Sequence, residues 1–294
     1  MAADRARRRK LALQKMPPHR KPPWARHARQ AHAHERHTNH GEKTRPRDFS
    51  AQKKAEDERA LIYGLHAVGE ALANPKREVL RFLVTENAFR RLDFREAGKP
   101  GLRPQIVSPQ EIARLLPSDA VHQGALVEAL PLEAPALETL APEGILLALD
   151  QITDPHNVGA ILRTAAAFAV NGVVVPLRHS PAATGVLAKS ASGALEHVPL
   201  IPVRNLADAL IALGERGFMR VGLDSEGEAT LDGVALAAPL VLVLGAEGRG
   251  LRERVRQSCD VLARIELPGR IKSLNVSNAT AIALSSVHRR VKSG

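Results

Sequence analysis

The sequence predicts an α/β protein made of two folded units behind a basic arm, and three observations carry that reading. From Ile145 onward, six apolar runs of buried-strand length alternate with stretches of helical length. A shorter alternation of the same kind fills the region from Arg59 to Leu130. Ahead of it, residues 1–58 hold 16 Lys and Arg against 7 Asp and Glu, whereas the rest of the chain holds 26 against 24. Nearly all of the net charge of +11 therefore sits in the first fifth of the chain.

The arm (residues 1–58) has no sustained apolar period. It cannot bury enough surface to offset its ordering entropy, so it is expected to be disordered. Clustered Lys and Arg without a fold suit nucleic acid, because they displace counterions from phosphates. Six of the twelve His lie here, among them His32, His34, His37 and His40. No Cys or carboxylate cluster accompanies them, so a polar RNA-contacting tail is preferred to a metal site. Aromatic content is only 3%, too low for recognition of bases by rows of stacking rings. Cys259 is alone, which excludes an intrachain disulfide and points to no oxidising compartment. No apolar run reaches bilayer length. Leu11-Ala12-Leu13 is too short for a signal-peptide core, and the first Ser is Ser50, unlike a Ser-rich transit peptide. A cytoplasmic protein without a membrane partner is expected.

In the first folded unit (59–130), residues 61–63, 79–84, 105–107 and 124–127 read as strands. Helical stretches near 66–73, 86–94 and 109–116 separate them, giving a small α/β sandwich. Residues 131–144, with three prolines and scattered acids, read as an interdomain linker. In the second domain (145–294) the strands are 145–150, 172–175, 200–203, 219–223, 240–244 and 261–267, and the last helix is 275–292. Continuous apolar strands separated by helices imply a parallel sheet covered on both faces.

Three segments of the second domain gather polar and Gly residues where strands end, and that edge of a parallel sheet is where ligands bind. The first runs from Asp150 through Asn157 and Gly159 to Arg163 and Ala165. It leaves a strand and opens a helix whose N-terminus suits an anion. Equally, Asp154 or Asn157 is a helix cap and Arg163 a solvated helix residue. The second is Leu244-Gly245-Ala246-Glu247-Gly248-Arg249-Gly250-Leu251, where glycines allow close approach to a ligand or serve tight packing. Its spacing is neither a dinucleotide fingerprint nor a P-loop, so neither NAD nor ATP is indicated. The third, from Ile265 to Ala279, places Ser273 and Asn275 where a loop enters the last helix, and Ser273 is alternatively a simple N-cap.

In order, separation and residues, the three segments resemble the motifs of the SpoU (TrmH) family of RNA ribose 2′-O-methyltransferases, within the SPOUT superfamily. Ile62-Tyr63-Gly64-Leu65-His66-Ala67-Val68 and His122-Gln123-Gly124 are similar to two marks of the family's N-terminal substrate-binding domain. The resemblance implies that the C-terminal domain is a sheet with a deep trefoil knot, an exception to the rule against knotted chains. It implies S-adenosylmethionine as methyl donor, held by backbone groups of Gly245, Ile265 and Leu274; separately, the sequence shows no metal-ligand cluster, so no metal role in the chemistry is expected. It implies Asn157, Arg163, Glu247, Ser273 and Asn275 as the active-site residues. It further implies a homodimer with each site completed at the interface, and structured RNA, not DNA, as partner. The accessory domain points to a guanosine of large-subunit ribosomal RNA. A transfer-RNA methyltransferase of the same family and a non-catalytic RNA-binding assembly factor are the alternatives. Many members carry Pro directly after the Ile of the third motif. Here Glu266 stands there and Pro268 follows two places later.

For the chemistry, the resemblance offers Arg163 as the group that takes the proton of the 2′-hydroxyl. A guanidinium stays charged below a pKa of about 12, which favours a cationic Arg163 that stabilises developing alkoxide and grips phosphate.

Overall fold

The computed structural model describes residues 59–291, apart from 93–98, 100, 179–186, 188–190 and 192. The expected disorder of the arm concerns residues outside that description.

The small domain comprises β1 (Ala60–Tyr63), α1 (Leu65–Ala73), β2 (Val79–Val84), α2 (Glu86–Arg91), β3 (Gln105–Ile106), α3 (Pro109–Ala113) and β4 (Ala125–Ala129). Its sheet order is β1-β4-β2-β3, with β4 antiparallel to both β1 and β2 and β3 parallel to β2. Strand periodicity sends consecutive side chains to opposite faces. Phe82 and Val84 thus join Val68 and Ala71 of α1 on one face, while Leu83 meets Ile112 of α3 and Tyr63 on the other. Ser108 and Glu111 form a reciprocal capping box that starts α3. That helix ends at Ala113, short of the predicted 116, because the chain tightens into i→i+3 bonds from Leu115 and Leu116 ahead of Pro117.

The second domain contains β5 (Ile145–Asp150), α4 (Pro155–Ala167), β6 (Gly172–Pro176), β7 (Leu200–Val203), α5 (Leu206–Glu215), β8 (Met219–Leu223), β9 (Ala229–Thr230), β10 (Leu240–Gly245), α6 (Glu253–Gln257), β11 (Val261–Arg264) and α7 (Val276–Val291). All seven strands pair in parallel, in the order β7-β6-β5-β10-β8-β11-β9. Both faces are covered, as the continuous apolar runs imply. Leu147, Leu149, Leu242 and Leu244 pack with Ile161 of α4 and Leu284 of α7. Leu146, Ala148, Val241 and Val243 pack with Leu210 of α5 and Val255 of α6.

One strand end and one additional strand differ from expectation in this domain. The strand predicted to reach 267 stops at Arg264, because its neighbour β9 ends at Thr230 and Arg264 turns its guanidinium to the carbonyls of Gly227 and Glu228. The two-residue β9 is too short to leave a hydrophobic period.

Chain order and sheet order part company at β5. The chain runs outward from β5 to β6 and β7, then reappears across the sheet at β8, and β10 is inserted between β5 and β8. A parallel sheet has its ligand crevice at such a reversal, at the carboxyl ends of the strands.

Candidate active site

The loops leaving β5, β10 and β11 meet at that crevice. On the first, Asp154 is the helix cap: its carboxylate accepts the N–H of His156 at 3.0 Å, and Pro155 occupies the first position of α4. Asn157 is thereby released from capping and turns its amide sideways. Asn275 takes the corresponding place at the start of α7, its Oδ1 accepting the N–H of Ser277 at 2.9 Å and the Ser277 hydroxyl at 2.5 Å. The cap is Asn275, then, not Ser273.

Glu247 joins these two elements. One carboxylate oxygen, Oε1, accepts from Asn275 Nδ2 at 2.6 Å, from the backbone N–H of Val276 at 3.1 Å and from Asn157 Nδ2 at 3.4 Å. Asn275 Nδ2 also donates to Asn157 Oδ1 at 3.0 Å. A carboxylate over the first amide of α7 is favoured by the exposed N–H groups of a helix start. The three motifs are thus locked together through one oxygen.

Beside this junction lies a cavity of about 380 Å3, within the range of small-molecule sites. Gly245, Glu247, Ile265, Ser273 and Leu274 all line it. The three residues expected to hold a donor through their backbones therefore share one pocket with two of the expected active-site residues. Asn157, Arg163 and Asn275 are not among the lining residues. Arg163 sits in the third turn of α4 and is exposed, six residues on from Asn157 and so on a different side of the helix.

Glycine is required at 245. A Cβ there would stand 2.3 Å from the carbonyl carbon and 2.4 Å from the oxygen of Gly250, because the chain folds straight back over it. Glu266 is exposed, and the neighbouring Ile265 still packs against the main core, so the absence of Pro at 266 leaves that anchor in place.

The sequence reading missed Asp224 and Arg256, which also line the cavity. The available signal was an acid directly after a buried apolar run, since Asp224 follows β8 as Asp150 closes β5. A second cavity of about 390 Å3 lies between the domains, bordered by Asn74, Arg77 and the linker, and is lined by no residue of the three segments that meet at the crevice.

Parallel sheet, accessory domain and three-motif junction together define the class: the chain belongs to the SpoU rRNA Methylase family. The model of that family matches residues 144–285, and that of the RNA 2′-O ribose methyltransferase substrate-binding domain matches residues 61–135. Among individual relatives, the 23S rRNA (guanosine-2′-O-)-methyltransferase RlmB of Pseudomonas aeruginosa is 41% identical over 239 residues, covering 78% of this chain and 96% of that protein. Among solved structures, an RNA methyltransferase of the TrmH family from Porphyromonas gingivalis has a TM-score of 0.68 at 26% identity, covering 81% of this chain and 93% of that one. The SpoU methyltransferase AviRb from Streptomyces viridochromogenes, solved with AdoMet, shares the fold at a TM-score of 0.68 and 21% identity, covering 83% and 94%.

Proposed function

We propose that this protein methylates the 2′-hydroxyl of a guanosine ribose in large-subunit ribosomal RNA, using S-adenosylmethionine. The observation that carries the reading is the Asn157–Glu247–Asn275 junction at the rim of the Gly245 cavity. The relationship to the Pseudomonas aeruginosa enzyme supports the choice of substrate.

The cavity suits the donor chemically. Leu223, Leu244, Ile265 and Leu267 offer apolar walls for an adenine, and the backbone of Gly245 and Leu274 offers polar groups at its edge. When bound, the donor supplies an electrophilic methyl group. The work left to the chain is placement, since holding an acceptor oxygen in line can account for most of the acceleration. Arg163, as a permanent cation, stabilises charge developing on the ribose oxygen and grips the adjoining phosphate. Ser273, exposed at the rim, orients the ribose. Asn157, Glu247 and Asn275 keep the three loops in register.

The reading brings with it a deep trefoil knot in residues 145–294, a homodimer that completes each site, and action in the cytoplasm. It keeps residues 59–130 as the RNA-binding domain, 131–144 as the linker and 1–58 as a basic arm that grips phosphate. Among the described residues no helix is long and apolar enough to cross a membrane.

The test is methyl transfer to purified RNA. Radiolabelled S-adenosylmethionine is supplied with ribosomal fragments, assembly intermediates and transfer RNA, and the modified position is mapped. Label on a ribose 2′-oxygen of large-subunit RNA is expected. Label confined to transfer RNA would replace the substrate assignment, and no label on any RNA would favour a non-catalytic assembly factor.

A further inference from the structure

Two buried aspartates stand on either side of Gly245. In the parallel ladder Gly245 pairs with Asp150 of β5, and Leu244 pairs with Leu223 of β8, so Asp224 lies one step further on the opposite flank. Asp150 is 0% exposed and Asp224 8%. A carboxylate withdrawn from water is tolerated when it is paired and hydrogen-bonded.

Both acids find their cation in one short segment that follows the glycine turn. Arg252 donates its backbone N–H to Asp150 Oδ2 and its Nε to Oδ1, each at 2.8 Å. Arg256 donates Nη1 to Asp224 Oδ2, and the other oxygen of Asp224 accepts the N–H of Glu226 at 2.9 Å. Between β10 and these contacts the turn closes on itself, with Gly250 N–H bonded to the carbonyl of Ala246 at 2.9 Å.

A single ion pair would tether the turn at one point and leave it free to swing about that point. Anchors from the strands on both sides of β10 remove the rotation as well. We infer that Asp150 and Asp224 are positioning residues for the cofactor pocket. Through Arg252 and Arg256 they hold the backbone from 245 to 250 in its binding conformation, so little ordering is left to occur when the ligand arrives. The inference rests on the assignment of this cavity to S-adenosylmethionine.

The test compares the wild type with Arg252→Lys, Arg256→Lys and the double variant, with Asp224→Asn as an independent probe of the second clasp. Lysine keeps the charge and loses the planar fork. Both arginines are partly exposed, so the fold is expected to survive. Calorimetry with S-adenosylmethionine and its demethylated product is run beside binding of a ribosomal RNA fragment, and amide exchange is followed across 246–251. Each Lys variant should weaken both small ligands by roughly fivefold or more, the double variant by more still, with faster exchange in the turn and RNA affinity within about twofold of wild type. A double variant that binds both ligands like the wild type, or loses RNA and donor affinity in equal measure, overturns the inference. A wild type that gives no heat with either ligand overturns the cavity assignment itself, and the two failures are told apart by which protein fails.

Discussion

Arg77 of the small domain and Glu196 of the catalytic domain form a buried, fork-shaped ion pair. Arg77 Nη2 lies 2.6 Å from Glu196 Oε1, and Nε lies 3.2 and 3.1 Å from the two carboxylate oxygens. The side chains are only 5% and 3% exposed. Asn74 Nδ2 donates to Glu196 Oε2 at 2.8 Å, and Arg77 Nη1 donates to the carbonyl of Leu130 at 2.8 Å. The substrate-binding domain is therefore fixed to the catalytic domain, not strung on a loose tether. Removal of one partner leaves a desolvated charge, which costs about 3–5 kcal/mol. Arg77→Ala should lower unfolding stability in urea by that amount, and a loss below about 1 kcal/mol would show that the pair is solvated in practice.

Arg163→Ala should reduce methyl transfer by about a hundredfold or more while donor affinity stays nearly unchanged, since the role proposed for Arg163 is toward the RNA. Single-turnover assays and calorimetry separate the two effects. Near-normal turnover would remove the electrostatic role assigned to Arg163.

Asn275→Ala removes a helix cap and one corner of the motif junction together. The cap alone is worth about 1 kcal/mol. Stability should fall by about that much, while activity falls by far more than so small a stability change explains. Equal, small effects on both would reduce Asn275 to a cap.

Burial pushes the Cys259 thiol up to about 12, mainly through desolvation, with the positive field of Arg220 only partly opposing it. The thiolate is the reactive form. At pH 8 a disulfide reagent should label the native protein on the order of a thousandfold more slowly than the urea-unfolded chain, whose thiol has its ordinary pKa. The native state holds this proton more tightly than the unfolded state, so the associated stability is complete below about pH 9 and is lost as pH rises toward 12. Labelling as fast as in urea would show that Cys259 is solvated.

Deletion of residues 1–58 should leave donor binding intact, weaken RNA binding and keep the same modified nucleotide. The salt dependence should become shallower by roughly 0.7 to 0.9 log units per lost phosphate contact. An unchanged affinity and slope would make the arm a solvated tail. A shifted methylation site would mean that the arm reads the RNA.

The strands were legible because a parallel strand buried on both faces must be apolar throughout, and Ile145–Asp150 or Leu240–Gly245 could hardly be anything else. The motif residues were legible for a related reason. Polar and glycine residues that follow such runs stand out against them, and Asn157, Glu247 and Asn275 lie in the segments that leave β5, β10 and β11. Tertiary structure alone decided how they meet. Glu247 lies 90 residues from Asn157 and 28 from Asn275, and one of its oxygens receives hydrogen bonds from both. It also decided that Asp150 and Asp224 flank the same glycine. That relationship exists because β10 enters the sheet between β5 and β8, out of chain order. Local propensity and hydrophobic period act over a few residues. Which strands become neighbours is settled by burial of the whole sheet, and no local stretch of sequence records it.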